Sequence, residues 1–345
     1  MEAIREAIAL VTRKRDLSSG ESEAAMHDIL SGRATQAQIG ALLAGLRVKG
    51  ETAEEILGCA RAMRASATPV RPRRVGLVDT CGTGGDMAGT FNISTTAAFV
   101  VAGAGVPVAK HGNRSVSSTC GSADLLEALG VVLSLAPEQV ARCVDEVGIG
   151  FLFAPKLHPA MANAMGARRE LGVRTIFNLL GPLTNPAGVS YQLMGVFDPA
   201  LVEVVAGVMS GLGLERAMVL HGHGGLDELS ITGPNLVAEM RSGEVSLSAI
   251  DPVDLGMEPT GIDSLRGGAP EENAAISRAV LRGEAGPRRD VVLLNAAAAL
   301  YVAGAGDSIQ EGLRLAADAV DSGRAEEALE GLVTLSQSLG RVEAA

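Results

Sequence analysis

The sequence predicts an α/β protein: a small helical domain followed by a larger α/β domain with a mainly parallel central sheet. Capped apolar stripes at helical spacing occupy the stretch before residue 66, and from Val75 onward short β-branched runs alternate with helical segments across glycine-rich turns. The composition agrees. With 47% hydrophobic residues and 43 glycines in 345, the chain can bury a large core and is too apolar to be disordered.

In the first part, Ile4, Ile8 and Val11 form one stripe, and Ile39, Leu42, Leu43 and Leu46 another. Thr35 with Gln38, and Thr52 with Glu55, have the spacing of capping boxes, in which side chains at a helix start satisfy each other's backbone donors. The stretch "SATPVRPRR" then reads as a linker at residues 66–74, which divides a helical domain at 1–70 from an α/β domain at 71–345. Beyond it, "VGLVDT", "VPVAK", "IGFLFA", "YQLMGVF" and "RAMVLHG" are predicted strands, and "SADLLEALG" and "PALVEVVAGVMSGLG" predicted helices. "NLVAEMRSGEVSLSAI" reads as a hairpin turning at Ser242 and Gly243. The segment from Asp290 to Leu339 is Ala-rich and helical, with Ser308 as a cap and Gly323 as a stop.

Several classes of function are disfavoured. A formal charge of −11 opposes a nucleic-acid footprint, which needs a basic face. No apolar run reaches the roughly 18 residues of a membrane span, and charges interrupt any signal core in "MEAIREAIALVTRKRD", so a cytoplasmic protein is expected. Cys59, Cys81, Cys120 and Cys143 show neither CxxC nor zinc-ligand spacing and read as small apolar residues.

"CGTGGD" sits at the end of the first predicted strand, where ligands gather in parallel sheets. Glycines let successive amides approach an anion closely and allow positive φ. The following "NISTTAAFVVAGAG" reads as a helix whose start could face the same anion. The loop is neither a Walker motif, which needs Lys-Ser or Lys-Thr, nor GxGxxG, since Met87 stands at the third glycine. Asp86 beside a phosphate cradle would be repulsive unless it met a sugar hydroxyl, a metal or an amine.

A second cluster, "AKHGNRSVSSTCGSADLLEALG", follows the next strand and brings Lys110, His111, Arg114, Asn113 and several serines. The mixture of cations, glycine and hydroxyls is that of an anion pocket, although a charged run is more often a solvated surface. A third, "HGHGGLDELS", presents Asp227 and Glu228, an acid pair suited to a hard cation such as magnesium that bridges to a phosphate. Exposed acids at a loop end are the ordinary alternative.

Together these segments resemble the anthranilate phosphoribosyltransferases. The likeness runs through "DTCGTGGD", "FNIST", "KHGNRSVSSTCGSADLLEALG", "HPAMANAMGARRELGVRTIFNLLGPLTNP" and "GLDELS", and touches "RRDVVLLNAAAAL". It implies transfer of the 5-phosphoribosyl group from 5-phosphoribosyl 1-pyrophosphate to the amine of anthranilate. It also implies that residues 155–183 return to the helical domain, and that the protein is a homodimer. Carried over by motif, the phosphoribosyl pyrophosphate site would comprise Gly82, Gly85, Asp86, Thr90, Asn92, Ile93, Ser94, Thr95, Lys110, His111, Gly112, Asn113, Arg114, Ser115, Val116, Ser117, Ser118 and Ser122. Gly82, Asn113 and Arg168 would hold anthranilate. Two Mg2+ ions would be held by Ser94, Asp227 and Glu228. The family pattern has an acidic residue where this chain has Gly224. No paired nucleophile and base is evident, and no catalytic residue of that kind is assigned. The rival readings are a pyrimidine nucleoside phosphorylase and a non-catalytic relative that binds nucleic acid.

Overall fold

The computed structural model describes residues 2–115 and 119–342. Four helices come first: α1 (Glu2–Val11), α2 (Ser19–Leu30), α3 (Gln36–Lys49) and α4 (Ala53–Ser66). Both expected capping boxes form, and Ser18 with Glu21 makes a third at the start of α2. Each cap is worth about 1 kcal/mol. The stripe of α1 is buried at Ile4, Ala7 and Val11, while Ile8 is only partly covered; that of α3 is buried at Ile39, Leu42, Leu43 and Leu46.

The sheet contains β1 (Val78–Asp79), β2 (Val108–Gly112), β3 (Ile149–Phe153), β4 (Tyr191–Gly195), β5 (Arg216–His221), β6 (Asn235–Arg241) and β7 (Glu244–Ile250). Their order is β3-β2-β1-β4-β5-β6-β7. The first five pair in parallel and the last two add an antiparallel hairpin. That hairpin turns at Ser242 (φ 53°) and Gly243 (φ 87°), the two positive values of a tight type I′ turn. β1 is shorter than "VGLVDT" suggested. Gly76 lies in the left-handed region (φ 69°) and Val75 is 87% exposed, so extended pairing cannot begin before Leu77.

The remaining helices are α5 (Ile93–Gly103), α6 (Ser122–Ala128), α7 (Pro137–Val147), α8 (Ala154–Leu157), α9 (Ala162–Leu171), α10 (Phe177–Leu183), α11 (Leu201–Gly211), α12 (Pro270–Leu281), α13 (Pro287–Val302), α14 (Ile309–Asp321) and α15 (Arg324–Val342). Strand alternation sorts them onto two faces. Leu193, Met218, Leu220 and Val237 enter one apolar core, which includes residues of α5, α7 and α13. Met194, Ala217, Val219, Ala238 and Met240 enter the other, with α11, α1 to α4, α9 and α10. Among the described residues, no helix is long and apolar enough to cross a membrane, and the four cysteines form no disulfide with one another.

Three stretches, 66–70, 154–158 and 184–187, join α1 to α4, α9 and α10 to the rest of the chain, and they are laced together. The Thr68 amide donates to Leu157 O (2.8 Å) and the Val70 amide to Pro186 O (3.1 Å). Arg64 Nε donates to Leu183 O at 2.7 Å. Asn185 Nδ2 then reaches both Asp79 Oδ2 and Ala109 O, each at 2.8 Å, fixing the third passage against β1 and β2.

Candidate active site

Strand order reverses between β1 and β4, so the loops leaving their carboxyl ends diverge and open a crevice. The loop after β5 closes one side of it. There the Gly84 amide donates to Asp227 Oδ2 at 2.6 Å, and the Ser94 amide at the start of α5 donates to Glu228 Oε1 at 3.1 Å. The glycine loop, the helix start and the acid pair, distant in sequence, therefore meet at one place. Close approach explains two of the glycines. A Cβ at Gly82 would stand 2.7 Å from Asp227 Oδ2, and one at Gly195 would overlap the Asp227 carbonyl. Gly224, at the family's acidic position, has φ 83°, a turn that favours glycine.

Not all amides of the glycine loop are available. The Thr83 amide donates to Gly195 O at 2.9 Å and the Ala88 amide to Asp86 Oδ1 at 3.2 Å. Among the described residues, those of Gly85, Asp86 and Met87 have no protein acceptor. Positive φ at Gly84, Gly85 and Met87 (66°, 81° and 56°) curls this run into a short concavity, the geometry of an anion nest. Its far end is braced by Thr90 bridging to Arg266 and by the Gly267 amide donating to Gly89 O at 2.9 Å.

Three carboxylates share the crevice. Burial, followed by the charges of Glu228 and Asp86, raises Asp227 well above the usual carboxylate range, and its carboxyl also hydrogen-bonds that of Asp86. Burial lifts Glu228 to about 7, against the Ser94 side-chain hydrogen bond and the nearby Lys110 charge, which favour its ionised form. Lys110 is 3% exposed, and its ammonium donates to Thr80 O (3.1 Å) and Thr80 Oγ1 (3.2 Å). One ammonium facing three acids leaves a deficit of positive charge. The Ser94 hydroxyl and the carboxylates are hard oxygen donors of the kind magnesium takes. Among the described residues, no three His, Cys, Asp or Glu side chains form a closed metal cage. An open set fits an ion that completes its shell with substrate oxygen and water. Burial also pushes the Cys81 thiol up, with the Asp79 charge adding to it, which disfavours its thiolate form.

The other expected residues fall into distinct places. Asn92 ties the two loops, donating to Cys120 O and accepting from Asn273 Nδ2, both at 3.0 Å. Ile93 and Thr95 are buried. Asn113 is exposed after β2, and its carbonyl accepts from Ser122 Oγ at 3.2 Å. Gly112 has no room for a side chain beside Ser122 and Phe151. The Ser115 amide donates to Asp124 at 3.0 Å. Arg114 turns toward α6, pairing with Asp124 (2.8 Å) and Glu127 (2.9 Å), so its charge reaches an anion only by exchanging partners. Val116, Ser117 and Ser118 lie outside the described residues. Arg168, on α9, lies 4.9 Å over the Phe177 ring; burial lowers its pKa, and it pairs with no carboxylate among the described residues.

His111 points away from solvent. Its Nδ1 lies 3.0 Å from Gly181 O, which can only accept, so the proton is on Nδ1. Nε2 is then the acceptor, and His158 Nε2, 3.2 Å away, is the donor. Burial lowers His111 to about 3, with His158 adding to it, and lowers His158 to about 4. Both imidazoles must stay neutral while folded. Their contribution is complete above the unfolded value of 6.5 and is lost as pH falls toward these lower values. His158→Gln keeps a donor for His111 and removes one titration. Relative to the parent, the variant should lose about 2 kcal/mol less stability between about pH 7 and pH 4.5, measured by urea unfolding. Parallel profiles would show that His158 is solvated.

Sequence reading missed Arg174, which donates to the Gly85 carbonyl, and Asn273, which braces Asn92 and also accepts from the Gly268 amide at 2.8 Å. It also missed Asp79, held by Asn185 and the His111 amide and raised by burial to about 6, with Lys110 opposing. Arg174 lies inside "GVRTIFN" with no local pattern to mark it.

Comparison with known proteins identifies the family. Residues 5–67 match the glycosyl transferase family helical bundle domain, and residues 74–326 the glycosyl transferase family a/b domain. Anthranilate phosphoribosyltransferase of Desulforudis audaxviator is 57% identical over 340 residues, covering 99% of this chain and 98% of that one. The crystal structure of the Thermus thermophilus enzyme is 45% identical and superimposes with a TM-score of 0.92 over 98% of this chain and 100% of its own. The Saccharomyces cerevisiae enzyme in complex with PRPP and Mg is 28% identical, with a TM-score of 0.89 over 97% of this chain and 98% of its own. Another structure of that yeast enzyme, with 4-fluoroanthranilate, is 27% identical, with a TM-score of 0.85 over 97% of this chain and 99% of its own. Sharing their two domains, their sequence and their fold over almost its whole length, the chain belongs to the anthranilate phosphoribosyltransferase family.

Proposed function

We propose that the crevice between β1, β4 and β5 is where this transferase holds the diphosphate of 5-phosphoribosyl 1-pyrophosphate against its acid pair. The enzyme passes the 5-phosphoribosyl group to the amine of anthranilate, giving N-(5-phosphoribosyl)anthranilate and pyrophosphate in tryptophan biosynthesis. The observation that carries the site assignment is the meeting of Gly84 with Asp227 and of Ser94 with Glu228.

Bond breaking at ribose C1 needs the departing diphosphate stabilised and the amine aligned, without a covalent intermediate. The free amides of Gly85, Asp86 and Met87 donate to diphosphate oxygens. Ser94 with Glu228, and Asp227 with Glu228, would hold two magnesium ions, which when bound supply charge neutralisation to the leaving group. Arg168 and Asn113, together with Gly82, would receive anthranilate, the guanidinium taking its carboxylate in two-pronged fashion. Water takes the amine proton.

Free anthranilate is fluorescent, so its disappearance reports turnover. The complete mixture of protein, magnesium, anthranilate and phosphoribosyl pyrophosphate should consume it, and omission of any one component should stop the reaction. Consumption that continues in a chelator would remove magnesium from the reading.

We further propose that residues 1–70 together with 155–183 form the helical half of the enzyme, that two copies pair through it, and that it works in the cytoplasm. The packing of α9 against α2 and α3, and of α10 against α4, supports this division. A monomer mass in sedimentation would contradict the pairing.

A further inference from the structure

We propose that Arg174 is a positioning residue for the diphosphate: it pins the Gly85 carbonyl so that the loop's free amides face the crevice. The inference rests on the reading of that loop as the diphosphate cradle. Arg174 Nη2 donates to Gly85 O, and the guanidinium lies 4.2 Å over the Phe197 ring. Phe197 is itself fixed to the loop, because its amide donates to Thr83 Oγ1 at 3.2 Å. Among the described residues, the clamp therefore has a floor, Phe197, and one hydrogen-bond target, Gly85 O.

The consequence follows from the planarity of the peptide. In a trans peptide the C=O and the following N–H point in opposite directions. A carbonyl held toward Arg174 sends the Asp86 amide away from Arg174. Without that hold, the 85–86 peptide could flip, a rotation about ψ of Gly85 and φ of Asp86 that the missing Cβ of Gly85 leaves less hindered on its side. A flip would aim a carbonyl at the anion in place of a donor. A side chain at Gly85 would crowd Arg174, its Cβ standing 3.3 Å from Nη2, and the left-handed φ of 81° itself favours glycine.

Arg174 also lies three residues beyond the end of α9, the helix that carries Arg168. It thereby ties the anthranilate side of the crevice to the diphosphate side. A lysine in its place offers a point charge without the planar face that rests on Phe197.

The test measures binding of inorganic pyrophosphate with magnesium by calorimetry, and steady-state constants, in the parent, Arg174→Ala, Arg174→Lys and Phe197→Leu. Arg174→Ala should weaken pyrophosphate binding and raise the KM for phosphoribosyl pyrophosphate by about tenfold or more. The KM for anthranilate should change less than about twofold, and millimolar guanidinium should partly restore the loss. Arg174→Lys and Phe197→Leu should fall between parent and Ala. Equal changes in both KM values, or unchanged pyrophosphate binding in Arg174→Ala, would overturn the pin. If Arg174→Ala fails to fold, Phe197→Leu and Arg174→Lys decide on the same readouts. Failure of the parent to bind magnesium pyrophosphate would instead sink the reading of the loop.

Discussion

Replacing Asp227 and Glu228 together by Ala should reduce kcat by about 1,000-fold or more, from the roughly 2.7 to 4 kcal/mol that one well-placed electrostatic group contributes to a transition state. The fold should survive. Burial pushes the pKa values of both carboxyls up, with the charges of Glu228 and Asp86 adding at Asp227 and that of Asp86 at Glu228, so their ionised forms destabilise the folded chain. Removing them should leave Tm unchanged or raise it, the usual sign of a site that sacrifices stability for chemistry. Added magnesium should not restore the activity. A variant with normal turnover would take both acids out of the metal site, and one that has lost its melting transition would make them structural. Asp227→Asn with Glu228→Gln keeps the volume and the acceptors of the Gly84 and Ser94 amides, and should be nearly as inactive.

The second large effect concerns Arg168. Arg168→Ala should raise the KM for anthranilate about 10- to 100-fold, the equivalent of a charge-assisted hydrogen-bonded pair, while the KM for phosphoribosyl pyrophosphate moves less than about twofold. The side chain is partly desolvated, rests on Phe177, and has no acidic partner among the described residues. That state suits a guanidinium awaiting a carboxylate. Loss of the ring contact should lower stability by about 0.5 to 1 kcal/mol. Arg168→Lys should recover little, since an ammonium cannot grip both oxygens in a plane. Aniline, which lacks the carboxylate, offers a control: parent and variant should handle it alike. Equal changes in both constants would remove Arg168 from the anthranilate end.

The local chemistry of this fold is written plainly in the chain. Capping at Thr35, Thr52 and Ser308, the Ser242-Gly243 turn and the alternating strands all follow from nearest-neighbour spacing. The short β1 shows where such reading stops, because a β-branched run does not disclose that Gly76 bends back. The acid pair was legible as a motif, but not its enclosure. Nothing in "GLDELS" reveals that Gly84 and Ser94, more than 100 residues earlier, donate to it. Arg114 shows the opposite limit: its positive charge was legible, yet Asp124 and Glu127 on the next helix hold it. Arg174 left no trace in the sequence, since its role depends on a carbonyl 89 residues away.

The lacing of Thr68 to Leu157 and Val70 to Pro186 bears on how the molecule can move. A piece suspended from one tether can swivel freely; one suspended from three adjacent, cross-linked tethers can only rock, because each blocks torsion about the others. On the division into halves proposed above, opening and shutting is thus restricted to a narrow arc, and cutting any one tether should widen it.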